Sequence, residues 1–362
     1  MLTKNEAKRL RMKAAVVREF GKPLSLESVP VPEMGNDDVL LKVRASGICH
    51  SDIHIWRGRE SEGSPLPLIM GHECAGVIER VGTNVKNVKP GDRVVVDYRL
   101  TCGHCFYCNS GRTNLCVNTK DFGFTVNGGY AEYSVLAGRQ VFALPEEISF
   151  EEAAIIGCAV VTAYHATKLS EIQLGDSVAV IGIGGIGYHI LKFCRAAGAR
   201  RIIAVDVDDR KLARAAKLGA ETINPHNEPA EKLIKEHTND EGVDIAFEAI
   251  GLRRTVEAAI KCLSPPGKAV LVGLCFDKVE FSPFQDMIWV PRLANSGKEA
   301  QIRASADHTR NDLQEVIELV RCGTIDLADS ITHRLSLDEA NRGLEIVEKK
   351  IGDPVRVVML SK

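Results

Sequence analysis

No uninterrupted apolar run in this sequence approaches the roughly 20 residues needed to span a bilayer, so no membrane partner is expected. Charge of one sign is also missing. Lys and Arg number 46 against 48 Asp and Glu, and the formal net charge of −2 gives no surface suited to nucleic acid or an acidic membrane. The opening stretch MLTKNEAKRLRMK is basic, but no apolar core follows it. It therefore reads as a short extension and not as a secretory signal, and the expected compartment is the cytoplasm. Internal repeats and low-complexity segments are absent too, which leaves an ordinary globular chain, 45% hydrophobic and 26% charged. At 362 residues, two domains are the natural expectation.

Cysteine is the exception to this plainness. There are eleven, an odd number, several in tight clusters. Without a secretory signal, that pattern favours metal binding over disulfides.

The chain is organised around Val178 to Asp206, VAVIGIGGIGYHILKFCRAAGARRIIAVD. A buried parallel strand leads into the G-x-G-x-x-G turn of Gly182, Gly184 and Gly187, then into a helix and a second apolar strand. Gly182 permits the tight turn, and Gly184, with Gly185 and Ile186, brings backbone N–H groups to a pyrophosphate. Gly187 lets the helix pack on the strand. Asp206 ends the second strand, at the distance from the glycines where a carboxylate can bind ribose hydroxyls and repel a 2′-phosphate. NAD is expected over NADP. An ordinary strand–helix turn is the alternative, and the flanking strand, helix and acid weigh against it. Further strand–helix alternation, through VDIAFEAIG and KAVLVG, implies a doubly wound parallel sheet. Gly251, and Val272 with Gly273, stand at strand ends where ligands bind, although turn chemistry alone also accounts for the glycines.

The chain before the glycine turn, up to about Val160, reads as short strands with Pro and Gly turns, a compact β-barrel-like domain. Into it the chain places GICHSDIH (Cys49, His50, Ser51, Asp52, His54), GHE (His72, Glu73) and, much later, Cys158. Each Cys or His alone is more often a core residue. As a set they are the donor types that hold zinc while leaving a fourth position open. Cys102, Cys105, Cys108 and Cys116 have the spacing C-x2-C-x2-C-x7-C. Four thiolates so close along the chain suit a closed structural zinc site, with an iron–sulfur cluster or redox pair as the competing accounts. The remaining cysteines read as packing residues, and His308 and His333 as structural residues without obvious partners.

Taken together, these motifs resemble the zinc-containing alcohol dehydrogenases of the medium-chain dehydrogenase/reductase superfamily, from about Met12 to Leu360. The resemblance implies a Rossmann domain inserted into a GroES-like β-barrel catalytic domain. Residues 1–160 would form the catalytic domain, with a zinc lobe at about 98–118. Residues 161–297 would form the NAD-binding domain, and 298–362 the return to the catalytic domain. It implies two zinc ions per subunit, the catalytic one on Cys49, His72 and Cys158, with Glu73 beside it and Asp52 orienting the histidine. Ser51 and His54 match a proton relay. His50 and Arg356 match contacts to the pyrophosphate, Lys211 to the adenosine ribose and Thr162 to the nicotinamide amide. Trp56 and Tyr98 match positions lining the substrate pocket.

Polyol dehydrogenases of the superfamily usually carry glutamate where Cys158 stands, and its quinone reductases lack both zinc sets. The long insertion of dimeric vertebrate enzymes is absent here, which favours a homotetramer over a homodimer. The implied activity is NAD-dependent, reversible oxidation of a primary or secondary alcohol to an aldehyde or ketone. A polyol or amino alcohol dehydrogenase is the runner-up, and a non-catalytic dinucleotide-binding redox sensor the rival from another class.

Overall fold

The computed structural model describes residues 11–59, 63–288 and 297–361, apart from the side chain of Phe284, so most of the basic N-terminal stretch lies outside the described residues. The chain divides into two compact units, Met1–Val161 with His308–Lys362, and Thr162–Asp307.

The first unit is built on strands. They are β1 (Arg11–Val17), β2 (Ser25–Pro30), β3 (Asp38–Ile48), β4 (Leu68–Ile69), β5 (Glu73–Val81) and β6 (Arg93–Val96). After the short pair β7 (Arg99–Leu100) and β8 (Lys120–Asp121) come β9 (Tyr133–Ala137) and β10 (Val141–Ala143). A three-stranded sheet has the order β2-β1-β4, with β2 alternating half-buried and exposed positions as a one-faced strand does. In the seven-stranded sheet, β3 is central. It pairs with β5 on one side and, on the other, with the strand that returns last in sequence (Arg356–Leu360), while β9 also pairs with β3. Gly47 stands opposite Glu73 on β5 and opposite Val358 on that returning strand, with Ile48 opposite Val357. This register gathers the end of β3, the start of β5 and the start of the last strand at one place.

In the second unit the strands are β11 (Ser177–Ile181), β12 (Arg201–Val205), β13 (Glu221–Ile223), β14 (Val243–Glu248), β15 (Leu263–Leu271) and β16 (Gln301–Ala304). All pair in parallel in the order β13-β12-β11-β14-β15-β16, the doubly wound arrangement of two mononucleotide-binding halves. Every residue of β11 is buried, as a run of Ser, Val, Ala and Ile covered on both faces requires. Strand order reverses between β11 and β14, and ligands of such sheets bind outside the carboxyl ends of the strands.

The return to the first unit starts later than the sequence suggests. Residues 298–307 stay with the second unit, because Gln301–Ala304 pairs with Lys268–Leu271 as the sixth strand. That strand is only four residues long and lies at the sheet edge, too short for the alternation of Gln301, Ile302, Arg303 and Ala304 to stand out in the sequence. Among the described residues one helical run, Phe150–Ser170, is long and apolar enough to cross a bilayer, but 67% of its most apolar stretch is buried, as expected of a core helix.

Candidate metal centres and dinucleotide turn

The first cluster grows from helix α1 (His50–Trp56). Cys49 is its N-cap, in extended conformation, and Asp52 sits at the third helical position. Asp52 is fully buried and serves two partners. Its Oδ2 accepts the Cys49 N–H at 2.8 Å, and its Oδ1 lies 3.1 Å from His72 Nδ1. That second contact leaves His72 Nε2 turned away from Asp52, buried and with no hydrogen-bond partner. Cys158 arrives from a π-helical turn, Ile156–Val160, between helices α2 (Phe150–Ile155) and α3 (Val161–Ser170). Single π-turns of this kind recur at functional sites. Gly157 is what lets that turn come so close, since a Cβ there would meet Val96 O at 2.8 Å.

One donor atom from each of Cys49, His72, Glu73 and Cys158 lies within 4.8 Å of the others. The hydrogen bond with Cys158 is the largest influence holding the Cys49 thiol well below its usual range, with His72 and Arg356 acting in the same sense. Burial pushes the Glu73 carboxyl up to about 7 against the pull of Arg356, whose guanidinium bonds it directly. Arg356 is itself only 5% exposed, so the residue expected at a pyrophosphate is engaged with Glu73 in this structure.

The remaining expected residues fall into distinct places. Ser51 Oγ lies 3.9 Å from Cys49 Sγ, and His54 follows three residues along the same helix face. His50 is exposed at the helix start. The Tyr98 ring meets His72 edge-on at 5.2 Å. The Trp56 indole N–H donates to Lys22 O at 2.6 Å and the Arg57 guanidinium covers its ring at 4.3 Å. Sequence reasoning missed Phe124, whose ring lies 4.5 Å from His72 and 5.7 Å from Tyr98. No local motif marks it. His308 is not without a partner: its Nε2 lies 3.5 Å from Asp97 Oδ1. His333 Nδ1 likewise meets Thr332 Oγ1 at 2.9 Å.

Cys102, Cys105, Cys108 and Cys116 form a second cluster, their sulfurs all within 4.8 Å of one another. The Cys102 thiol is pulled down to about 6, chiefly by the backbone N–H of His104. All eleven cysteines are free thiols. Cys74, Cys194 and Cys262 are buried packing residues, whereas Cys322 is exposed and packing does not account for it.

In the second unit, helix α4 (Gly185–Ala196) starts from Gly184 with no side chain capping its first N–H groups. The three glycines of the turn differ in what they answer to. A Cβ on Gly187 would stand 1.8 Å from Gly182 O, and one on Gly182, at φ +96°, would stand 2.4 Å from Ile250. A Cβ on Gly184 would meet no protein atom within 4 Å. Packing therefore demands the first two, while the space beside Gly184 is open for something that is not protein. Gly187→Ala is expected to destabilise the fold by about 1–3 kcal/mol as overpacking does. Gly184→Ala is expected to keep the wild-type melting temperature and weaken dinucleotide binding. Melting curves and NADH fluorescence titrations of both variants check this, and a melting loss in Gly184→Ala alone would refute it.

Asp206 closes β12 and is 7% exposed. Its Oδ2 accepts the Ile183 N–H at 2.8 Å and lies 3.4 Å from Lys211 Nζ, while its Oδ1 accepts the Asp208 N–H at 3.0 Å. Gly251 and Gly273 face each other across the ends of β14 and β15, where a Cβ on Gly273 would stand 2.2 Å from Gly251 N. Close packing explains both glycines. Val272 donates its N–H to Glu248 O at 2.8 Å, and Thr162 is buried in α3.

Two thiols beside an unpartnered imidazole nitrogen, a four-thiol lobe and an uncapped glycine turn below an acid fit zinc-dependent, dinucleotide-linked chemistry. Residues 35–146 match the family profile of the alcohol dehydrogenase GroES-like domain, and residues 185–321 that of the zinc-binding dehydrogenases. An alcohol dehydrogenase of Geobacillus stearothermophilus is 39% identical over 316 residues, covering 87% of this chain and 90% of that one. An S-(hydroxymethyl)glutathione dehydrogenase of Synechocystis is 33% identical over 97% of this chain and all of its own length. Among solved structures, a zinc-binding dehydrogenase of Sinorhizobium meliloti bound to NADP has a TM-score of 0.87 at 30% identity, covering 97% of this chain and 100% of that one. The chain belongs to the zinc-containing alcohol dehydrogenases of the medium-chain dehydrogenase/reductase superfamily.

Proposed function

We propose that the protein catalyses reversible, NAD-linked oxidation of a primary or secondary alcohol to an aldehyde or ketone. The observation that carries this reading is the buried, unpartnered Nε2 of His72 beside the Cys49 and Cys158 sulfurs. Those three residues would hold a catalytic zinc, and the four-cysteine lobe a structural one. A zinc bound there supplies Lewis acidity toward the alcohol or carbonyl oxygen, and a bound NAD supplies the hydride acceptor.

The chain's own residues do the rest. Asp52 fixes the tautomer and orientation of His72 through Nδ1. Ser51 takes the proton of the substrate hydroxyl, and His54, one turn along, passes it toward solvent. Tyr98 and Phe124 present an apolar, aromatic wall next to His72, which suits a small or medium, mostly apolar alcohol. Asp206 accepts from the ribose hydroxyls with Lys211 beside it, and its charge disfavours a 2′-phosphate. Cys158, a thiol where polyol enzymes usually carry an acid, counts against the polyol reading. The relay pair counts against a mere dinucleotide sensor, which needs neither. We further propose a cytoplasmic homotetramer, with a homodimer as the other assembly, and no nucleic-acid or membrane partner.

Initial rates of NADH formation across short primary, secondary, aromatic and polyol substrates test the whole reading, with NAD and NADP run in parallel. Turnover of simple or aromatic alcohols with NAD is expected. Activity confined to polyols, or to NADP, would overturn it. Cys105→Ser should lower the melting temperature while leaving the residual folded fraction able to bind NADH, because structural zinc sites contribute folding energy outright. A fully stable Cys105→Ser variant would remove the lobe's structural role.

A further inference from the structure

Behind the aromatic wall, the first unit holds a buried polar cluster that the proposed chemistry leaves unused. Asp97 follows β6 and is 2% exposed. Its Oδ1 accepts the Arg99 N–H at 3.1 Å and lies 3.5 Å from His308 Nε2, and its Oδ2 lies 3.7 Å from the Arg310 guanidinium. The backbone of Asp97 is pinned as well, its N–H donating to Gln140 O at 2.7 Å and its carbonyl accepting from Gln140 Nε2 at 3.2 Å. The next residue is Tyr98, whose ring meets His72 on one side and His308, at 5.9 Å, on another.

Arg310 reaches the other way, into the four-cysteine lobe. Its backbone N–H donates to Thr113 Oγ1 at 3.0 Å, and its guanidinium bonds the carbonyl of Arg139 and lies 4.4 Å over the Phe142 ring. Arg139 in turn donates to Cys102 O at 3.4 Å. A continuous set of contacts therefore runs from Cys102 and Thr113 through Arg139, Arg310, Asp97 and Tyr98 to His72. Apolar replacements fill buried volume as well as an ion cluster does, so a buried carboxylate is best explained where it fixes one geometry. Close-packed interiors transmit a displacement along such contacts instead of absorbing it.

We propose that Asp97 and Arg310 form a bracket coupling the four-cysteine lobe to the His72 centre, with Asp97 the positioning residue for Tyr98. The proposal rests on the reading of Cys49, His72 and Cys158 as a metal centre. The lobe then does more than stabilise: its order sets where the aromatic wall stands against the ligating histidine.

The test uses the full-length protein with cobalt(II) at the catalytic position, comparing wild type with Asp97→Asn, Arg310→Gln and the conservative Arg310→Lys. Metal content, the visible cobalt spectrum, the NADH dissociation constant and steady-state kinetics are measured on each. Asp97→Asn and Arg310→Gln are expected to keep their full metal content and their NADH affinity. Their cobalt bands should shift, and KM for the best alcohol should rise about tenfold with little change in kcat, since a displacement of about 1 Å or less suffices for such losses. Arg310→Lys should lie between them and wild type. Unchanged cobalt bands and KM with only a lower melting temperature would overturn the proposal, leaving the bracket a stabilising contact. Should Asp97→Asn not fold, Arg310→Gln decides, because that side chain is 34% exposed. A wild type that oxidises no alcohol would sink the functional reading, while its cobalt spectrum would still decide the coupling. A wild type that binds no cobalt at these residues would sink both.

Discussion

Cys49→Ala and Cys158→Ala are each expected to abolish alcohol turnover while leaving NADH bound. Each removes one of the two thiols clustered with His72, and among the described residues of that cluster Glu73 alone could stand in for it. That carboxylate is engaged by Arg356. The Lewis acid whose site is lost contributes several kcal/mol to the transition state, so kcat/KM should fall on the order of 10⁴-fold or more. The dinucleotide turn belongs to the other compact unit, and its affinity should be unaffected. Asp52→Ala should be milder. It keeps all three ligands but frees the His72 ring and uncaps α1, so metal affinity should drop about 10- to 100-fold. Metal analysis, NADH fluorescence and steady-state rates on the three variants separate these cases. Wild-type turnover in either cysteine variant would end the ligand assignment.

The second large effect concerns the choice between dinucleotides. Asp206→Gly should cost NAD binding the worth of a charge-assisted hydrogen bond, about 1.5–3 kcal/mol, or roughly 10- to 150-fold. NADP should lose much less, because the same change removes a repelling charge and frees Lys211, now 3.4 Å from the carboxylate, to meet a 2′-phosphate. The carboxylate also holds the Ile183 and Asp208 N–H groups, so Asp206→Asn, which retains an acceptor, is the control for loop distortion. The ratio of kcat/KM for NAD and NADP is the readout. A ratio unmoved in both variants would show that Asp206 serves the loop alone.

Two kinds of site could be read from the sequence: groups that lie close along the chain, and the scattered set Cys49, His72 and Cys158, which the resemblance to a known family supplied and the fold brings together. The glycine turn, its terminal acid and the four-cysteine lobe have spacings fixed by local geometry, and the structure brings each group together within its own segment. Asp52 came from the family resemblance, and the structure places it 3.1 Å from His72 Nδ1. Contacts made by long-range packing carry no such spacing. Phe124 reaches His72 from the loop that follows β8, and His308, which contacts Asp97, comes in sequence only after the whole segment of the other unit. Tyr98 and Trp56 both match the pocket by resemblance; the contacts they make, Tyr98 with the His72 ring and Trp56 with Lys22 O, could not be read from the sequence. The edge strand Gln301–Ala304 was hidden because it has only four residues, none of them fully buried.

The pairing of the returning strand with β3 has a consequence for the order of events during synthesis. A ribosome delivers Cys49, His72 and Glu73 early, but Arg356, the cation that meets the buried Glu73 carboxyl, lies 283 residues further on. Until that strand emerges, closing the first unit would bury an acid without its counter-charge, which is unfavourable. The second unit, made of one unbroken segment, carries no such debt and is free to fold while translation continues. The nascent chain is thus expected to gain its dinucleotide-binding half first, and to seal the centre at His72 only after the strand that carries Arg356 has emerged.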